Sequence, residues 1–258
     1  MQVWAVANQK GGVGKTTTAV TLAGLLAEVG YRVLLVDLDP HGSMTSYFRY
    51  DPDELERSVY DLFEQVKVEP DRARQLILNT THDSIHLIPA STALATLERK
   101  AVAQEGMGLQ VAKALRHLQT DYDHVIIDSP PVLGVLMVNA LAACNHLLVP
   151  VQTEFLALKG LERMVRTIEM INRARRHKLP YTIVPTFYDR RTQASVNSLR
   201  ELHQHYGGQV SKAVVPIDTK FRNASIKGLV PSSFDAGSRG VHAYARLLRT
   251  LLERRRQE

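Results

Sequence analysis

Short apolar runs and amphipathic stretches alternate along the whole chain. The runs Val3–Ala7, Val33–Asp37, Ile85–Ile88, His124–Asp128, His146–Val151, Tyr181–Pro185 and Ala213–Pro216 are each four to six residues long. Runs of this kind, spaced by helical patterns, predict parallel strands buried on both faces. After the first run, Ala19, Leu22, Ala23, Leu26 and Val29 recur at helical spacing, and Gly30 is placed to end that helix. Longer helices are predicted over Glu154–Arg176, Thr192–Tyr206 and Arg239–Arg255. The more polar stretch Asp51–Asp83 predicts surface helices. No repeat, low-complexity segment or linker interrupts the pattern. Residues 1–258 therefore predict one α/β domain, a mostly parallel twisted sheet with helices on both faces.

Between the first strand and its helix lies Asn8-Gln9-Lys10-Gly11-Gly12-Val13-Gly14-Lys15-Thr16-Thr17. The Gly14-Lys15-Thr16 end fits a phosphate-binding loop. Glycines let backbone N–H groups approach phosphate oxygens closely. Lys15 can reach the β- and γ-phosphates, and the Thr16 hydroxyl can ligate Mg²⁺. The helix starting at about Thr16 turns its N-terminal dipole toward the anion. Strand, glycine loop and helix stand in the order that a P-loop NTPase domain requires. The loop departs from the general pattern at its start: Gln9 replaces the first glycine, and a second lysine, Lys10, sits within it.

In parallel sheets, ligands collect at the C-terminal ends of strands. Val36-Asp37-Leu38-Asp39-Pro40 and Ile127-Asp128-Ser129-Pro130 put carboxylates there. Strand-end Asp commonly begins a turn. In a chain with a phosphate loop it also reads as a Mg²⁺-binding element. Thr16, Asp128 and Asp39 are the candidate metal ligands. No Glu follows Asp128, so Asp39 is the candidate for orienting an attacking water, and Asp37 supports either the metal or the strand end.

Composition narrows the setting. The 45% hydrophobic content supports a full core. The one cysteine, Cys144, excludes a disulfide framework, suggests a reducing compartment and reads as a small core residue. Met1 leads straight into a strand, so no signal peptide is expected. The longest apolar stretch, Val132 to Cys144, is too short to span a bilayer. A cytoplasmic location is expected. The ten histidines show no metal-ligand spacing; His203 and His205 read as helix surface. Net charge is +6, distributed as −6 over residues 1–158 and +12 over residues 159–258. That asymmetry has two readings, an anionic partner or solvated helix faces.

The run Lys10-Gly11-Gly12-Val13-Gly14-Lys15-Thr16-Thr17 resembles the deviant Walker A motif of the ParA/MinD ATPase family. Asp37-Leu38-Asp39-Pro40-His41-Gly42 looks like that family's switch I, and Asp128-Ser129-Pro130-Pro131 like its Walker B and switch II. Val149-Pro150-Val151-Gln152-Thr153-Glu154 and Val215-Pro216-Ile217-Asp218 match in order and spacing. The resemblance spans Val3 to about Leu252. It implies that ATP and Mg²⁺ are bound. Gly11, Gly12, Val13, Gly14, Lys15, Thr16 and Thr17 would hold phosphates and metal. Pro216 and Asp218 would border the base. Asp39 would position water. Lys10 would cross an ATP-state homodimer to the partner's nucleotide, the logic of an arginine finger. A weak ATPase working with a stimulating or cargo-adaptor protein is implied.

Two segments depart from the usual partition pattern. Switch I has His41-Gly42-Ser43 where Gln-Gly-Asn is common, and the run after Pro216 is Ile217-Asp218-Thr219-Lys220-Phe221-Arg222. These look more like ParC, the ParA-like group associated with flagellar and chemotaxis genes, whose cargo is chemoreceptor clusters. The alternative is a chromosome or plasmid partition switch. It would grip DNA non-specifically, with Arg190, Arg191, Lys220, Arg222 and Lys227 as candidate contacts. A MinD-type membrane ATPase fits less well, because the tail after Leu252 runs out of apolar residues. A single cysteine cannot supply the metal-cluster ligands of an iron-protein ATPase. A small-molecule enzyme gives no reason for Lys10. Thr186-Phe187-Tyr188-Asp189 keeps only the Asp of a guanine-reading motif, so ATP rests on the resemblance.

Overall fold

The structure is a computed structural model that describes residues 1–64, 70–100 and 106–255. Its strands are β1 (Gln2–Val6), β2 (Val33–Asp37), β3 (Leu78–Asn79), β4 (Ile85–Ile88), β5 (His124–Asp128), β6 (His146–Gln152) and β7 (Tyr181–Thr186). They form one sheet in the order β3-β4-β2-β5-β1-β6-β7, parallel except for the antiparallel edge pair β3–β4. The predicted runs become these strands with boundaries shifted by a residue or so, apart from the last.

Each strand except the short edge strand β3 feeds both faces. In β1, Val3 and Ala5 join one core cluster, while Trp4 and Val6 join the other. In β2, Leu34 and Val36 oppose Val33 and Leu35 in the same way. Such strands read as continuous apolar runs because neither face meets water. One face is covered by α4 (Leu94–Lys100), α5 (Gln110–His117), α6 (Val135–Ala143), α7 (Phe155–Ala174) and α8 (Gln193–Tyr206). The other carries α1 (Lys15–Glu28), α2 (Ser43–Tyr47) and α11 (Arg239–Arg255). Three short helices complete the described set: α3 (Pro70–Gln75), α9 (Lys220–Lys227) and α10 (Pro231–Phe234). Cys144 is buried in the first cluster, and His203 and His205 are exposed on α8.

Three expectations change. Ala213–Pro216 is not a ladder strand. It runs beside β7 through single bonds, Val215 N to Pro185 O at 2.8 Å and Tyr188 N to Val215 O at 3.0 Å. Pro185 and Pro216 each lack an N–H, which limits a continuous ladder. Asp51–Asp83 contains a 3₁₀ turn (Val59–Leu62), α3 and the edge strand β3, not a set of surface helices; residues 65–69 lie outside the described part. Val29 does not join the buried face of α1, because it is the C-cap and is 61% exposed. Gly30 ends that helix as predicted, at φ 91°, with its N–H on Ala27 O and the Tyr31 N–H on Leu26 O. Among the described residues, no helix is long and apolar enough to cross a membrane.

Candidate functional site

The register places the site. Asp37 and Asp128 are paired residues at the ends of β2 and β5, and Val6 of β1 pairs with Asp128 on its other side. Three strand ends therefore converge where β1 opens into the glycine loop. Gly14 caps α1 at φ 89°, a left-handed conformation that favours glycine. The loop is pinned from two sides. Val13 is fully buried and its carbonyl accepts from Thr186 Oγ1 at 2.9 Å. Asn8 Nδ2 donates to Pro150 O at 2.7 Å, and Asn8 Oδ1 accepts from Lys10 N at 3.0 Å.

The two lysines part company. Lys15, on the first turn of α1, is nearly buried, and burial lowers its pKa against the opposing pull of Asp128 and Asp39. It lines a cavity of about 400 Å³ together with Gly11, Gly12, Thr16, Asp39 and His41. Lys10 does not line that cavity. Its ammonium forms an ion pair with Glu154, just before α7.

The carboxylates also divide. Asp37 is fully buried and takes three donors: Oδ2 accepts from Thr45 N at 2.9 Å and Thr45 Oγ1 at 2.8 Å, and Oδ1 from Asp39 N at 3.1 Å. It therefore supports the strand end and switch backbone. Burial raises its pKa to about 6. Asp128 Oδ2 accepts from Thr16 Oγ1 at 2.5 Å, while its buried Oδ1 has no partner. Burial, and then the Asp37 charge, raise the Asp128 pKa to about 8. A buried carboxylate oxygen with no donor, beside a hydroxyl, is the hard oxygen set that suits Mg²⁺. Thr16 and Asp128 fit that ion. Asp39 stands in the same cavity, with Oδ1 held by His41 N at 3.1 Å and His41 Nδ1 at 2.8 Å.

A second cavity, of about 620 Å³, opens from the first past Gly14, Thr17, Ser43 and Phe187. Pro216 and Asp218, expected to border the base, both line it. The Asp218 carboxylate is occupied, however. It accepts from Lys220 N at 3.0 Å and Gly240 N at 2.9 Å, so it fixes the starts of α9 and α11. Phe187 and Tyr47 also line the cavity, and sequence reasoning assigned neither to the site. Phe187 sits at φ 52°, a left-handed conformation that is strained for an aromatic residue. Its only sequence signal is its place just past β7.

Of the five basic candidates, Arg190 and Arg191 lie in the turn after β7, while Lys220, Arg222 and Lys227 lie on α9 rather than on a strand-end loop, and they are not equivalent. Arg191 pairs with Asp189 at 2.8 Å and Lys220 with Asp235 at 3.0 Å. Lys227 stands 5.2 Å over the Phe234 ring. Arg222 borders the larger cavity, although it is exposed. Arg190 is exposed with no ion pair among the described residues.

A glycine loop between a central parallel strand and its helix, with a strand-end Asp bonded to the loop threonine, defines a P-loop nucleotide-binding protein. Residues 1–181 match the AAA domain family. The chain is 35% identical over 244 residues to the sporulation initiation inhibitor protein Soj of Bacillus subtilis, covering 94% of this chain and 95% of that one. It is 34% identical over 259 residues to the chromosome partitioning protein ParA of Caulobacter vibrioides, covering 99% and 96%. Among solved structures, cobyrinic acid a,c-diamide synthase from Mycobacterium smegmatis, with bound ATP analog and magnesium, superposes with a TM-score of 0.85. That match is 36% identical and covers 98% of this chain and 94% of that one. The chain belongs to the ParA-like (Soj) family of P-loop ATPases. The names of these relatives differ in what they act on, and the resemblance to the flagellar and chemotaxis group rests on the sequence motifs alone.

Proposed function

We propose that this ATPase is a slow, ATP-dependent dimerising switch that partitions or positions intracellular cargo. The observation that carries the reading is the separation of the two loop lysines. Lys15 lines the chain's own phosphate cavity, whereas Lys10 does not line it and pairs with Glu154. A cation that the chain's own site does not use is available to a second copy. Phe155 and Leu156, which follow Lys10's partner Glu154, and Val132, in the loop after Asp128, are each more than 60% exposed, apolar surface that a second copy would cover.

Within each copy, Lys15 binds phosphate charge and the loop N–H groups orient it. Thr16 and Asp128 would hold Mg²⁺, which neutralises charge on the phosphates when bound. Asp39 accepts a hydrogen bond from the attacking water and orients it. Basal turnover is slow because Lys10 reaches the phosphates only across the dimer.

The cargo reading favoured by the relatives' names is DNA partition, with a cargo adaptor as stimulating partner. The switch I run through His41 and the run after Pro216 favour the second reading, chemotaxis or flagellar clusters. ATP turnover and co-sedimentation with duplex DNA and with anionic liposomes separate the classes. The expected result is slow turnover with ATP-dependent retention on DNA. Retention on liposomes alone would contradict the proposal.

A further inference from the structure

His41 occupies switch I, where its ring is 80% exposed and its Nδ1 lies 2.8 Å from Asp39 Oδ1. A carboxylate only accepts, so Nδ1 must carry the hydrogen whether or not the ring is charged. The turn itself does not need the ring. It is closed by backbone donors: Asp39 N to Asp37 Oδ1 at 3.1 Å, His41 N to Asp39 Oδ1 at 3.1 Å, and Gly42 N to Asp39 O at 2.8 Å. Gly42, at φ 58°, fixes the turn against Pro52, since a Cβ there would lie 2.3 Å from Pro52 Cγ.

The imidazole therefore has one contact left to explain, the Asp39 side chain. The Asp χ2 torsion is broad and weakly constrained. Two donors on Oδ1 fix it and leave Oδ2 without a protein partner among the described residues. Asp39 also stands close enough to act on the charges of Lys15 and Asp128. We infer that His41 is a positioning residue, whose Nδ1–H orients the Asp39 carboxylate so that Oδ2 can accept a hydrogen bond from the attacking water.

This rests on Asp39 being the water-orienting residue, so the test carries Asp39→Ala beside the His41 variants. Single-turnover hydrolysis and ATP affinity are measured for His41→Ala, His41→Leu and His41→Asn. The Asn amide nitrogen can stand where Nδ1 stands. A misplaced catalytic group lowers rate without lowering affinity. Ala and Leu are expected to slow hydrolysis by about 10-fold with ATP affinity within about 2-fold, and Asn to restore most of the rate. Wild-type rates in Ala would overturn the inference, as would a parallel loss of affinity, or Asn as slow as Ala. If Asp39→Ala itself hydrolyses at the wild-type rate, the reading of Asp39 fails and this inference fails with it. A slow Asp39→Ala with a normal His41→Ala overturns the inference alone.

Discussion

Thr16 Oγ1 lies 2.5 Å from Asp128 Oδ2, which ties the first turn of α1 to the end of β5. The other Asp128 oxygen is buried without a partner. Ionising Asp128 in the free protein is therefore unfavourable. The folded carboxyl keeps its proton up to about 8, whereas an unfolded one loses it near about 4. The folded state thus binds more protons in between, and this contribution to stability declines as pH rises through that window. Asp37 acts in the same direction.

Asp128→Asn should remove Asp128's part of that slope. In chelator, its melting temperature is expected to exceed wild type near about pH 8 by about 2–4 °C, with little difference near about pH 4. Mg²⁺ with nucleotide should stabilise wild type more than the variant. Parallel melting curves across the pH range would contradict the assignment.

Asp39→Ala should slow hydrolysis by about 10²-fold while sparing the proposed ATP-bound dimer, since Asp39 lines the phosphate cavity that Lys10 and Glu154 do not line. Wild-type turnover should already be low, at roughly 10⁻⁴ to 10⁻² s⁻¹, as for P-loop NTPases without full transition-state help. Single-turnover assays with dimer mass followed in parallel check both statements.

DNA binding, if the partition reading holds, should require ATP, ignore sequence and weaken steeply with salt, because phosphate contacts release counterions. Arg190→Ala should weaken it more than Arg191→Ala. The Arg191 guanidinium already pairs with Asp189, which holds that carboxyl below the ordinary range. An anisotropy titration at low and moderate salt measures both. No binding at low salt with ATP would leave protein partners as the platform.

Gly24→Ala should destabilise the fold by about 1–3 kcal/mol, although alanine favours helix. Gly24 is where α1 meets the start of α10. An added Cβ would lie 2.8 Å from Val230 Cβ and 2.7 Å from Ser232 Oγ. Denaturant unfolding measures it, and an unchanged midpoint would show that α10 can move aside.

The sheet was legible because a strand buried on both faces must be apolar at nearly every position, as Val33–Val36 is. The phosphate loop was legible because few residue types can surround a phosphate this closely. What sequence could not give is set by tertiary approach. Leu78–Asn79 is two residues long and too short to show a period. Pro216 was read as strand because local apolarity does not reveal a missing ladder. Asp37, Asp39 and Asp128 look alike along the chain. Only the fold shows one held by Thr45 and the Asp39 N–H, one held by His41 and one with an oxygen left over. Glu154 was visible within a motif, but its pairing with Lys10 spans 144 residues.

The central claim is that Lys10 acts across a dimer. Light scattering with a non-hydrolysable ATP analogue, alongside equilibrium dialysis for nucleotide affinity, tests it on wild type and Lys10→Ala. The account predicts that wild type doubles its mass with the analogue, while Lys10→Ala binds nucleotide with near-normal affinity and stays monomeric. A Lys10→Ala protein that dimerises normally, or that loses nucleotide affinity as a monomer, would contradict it.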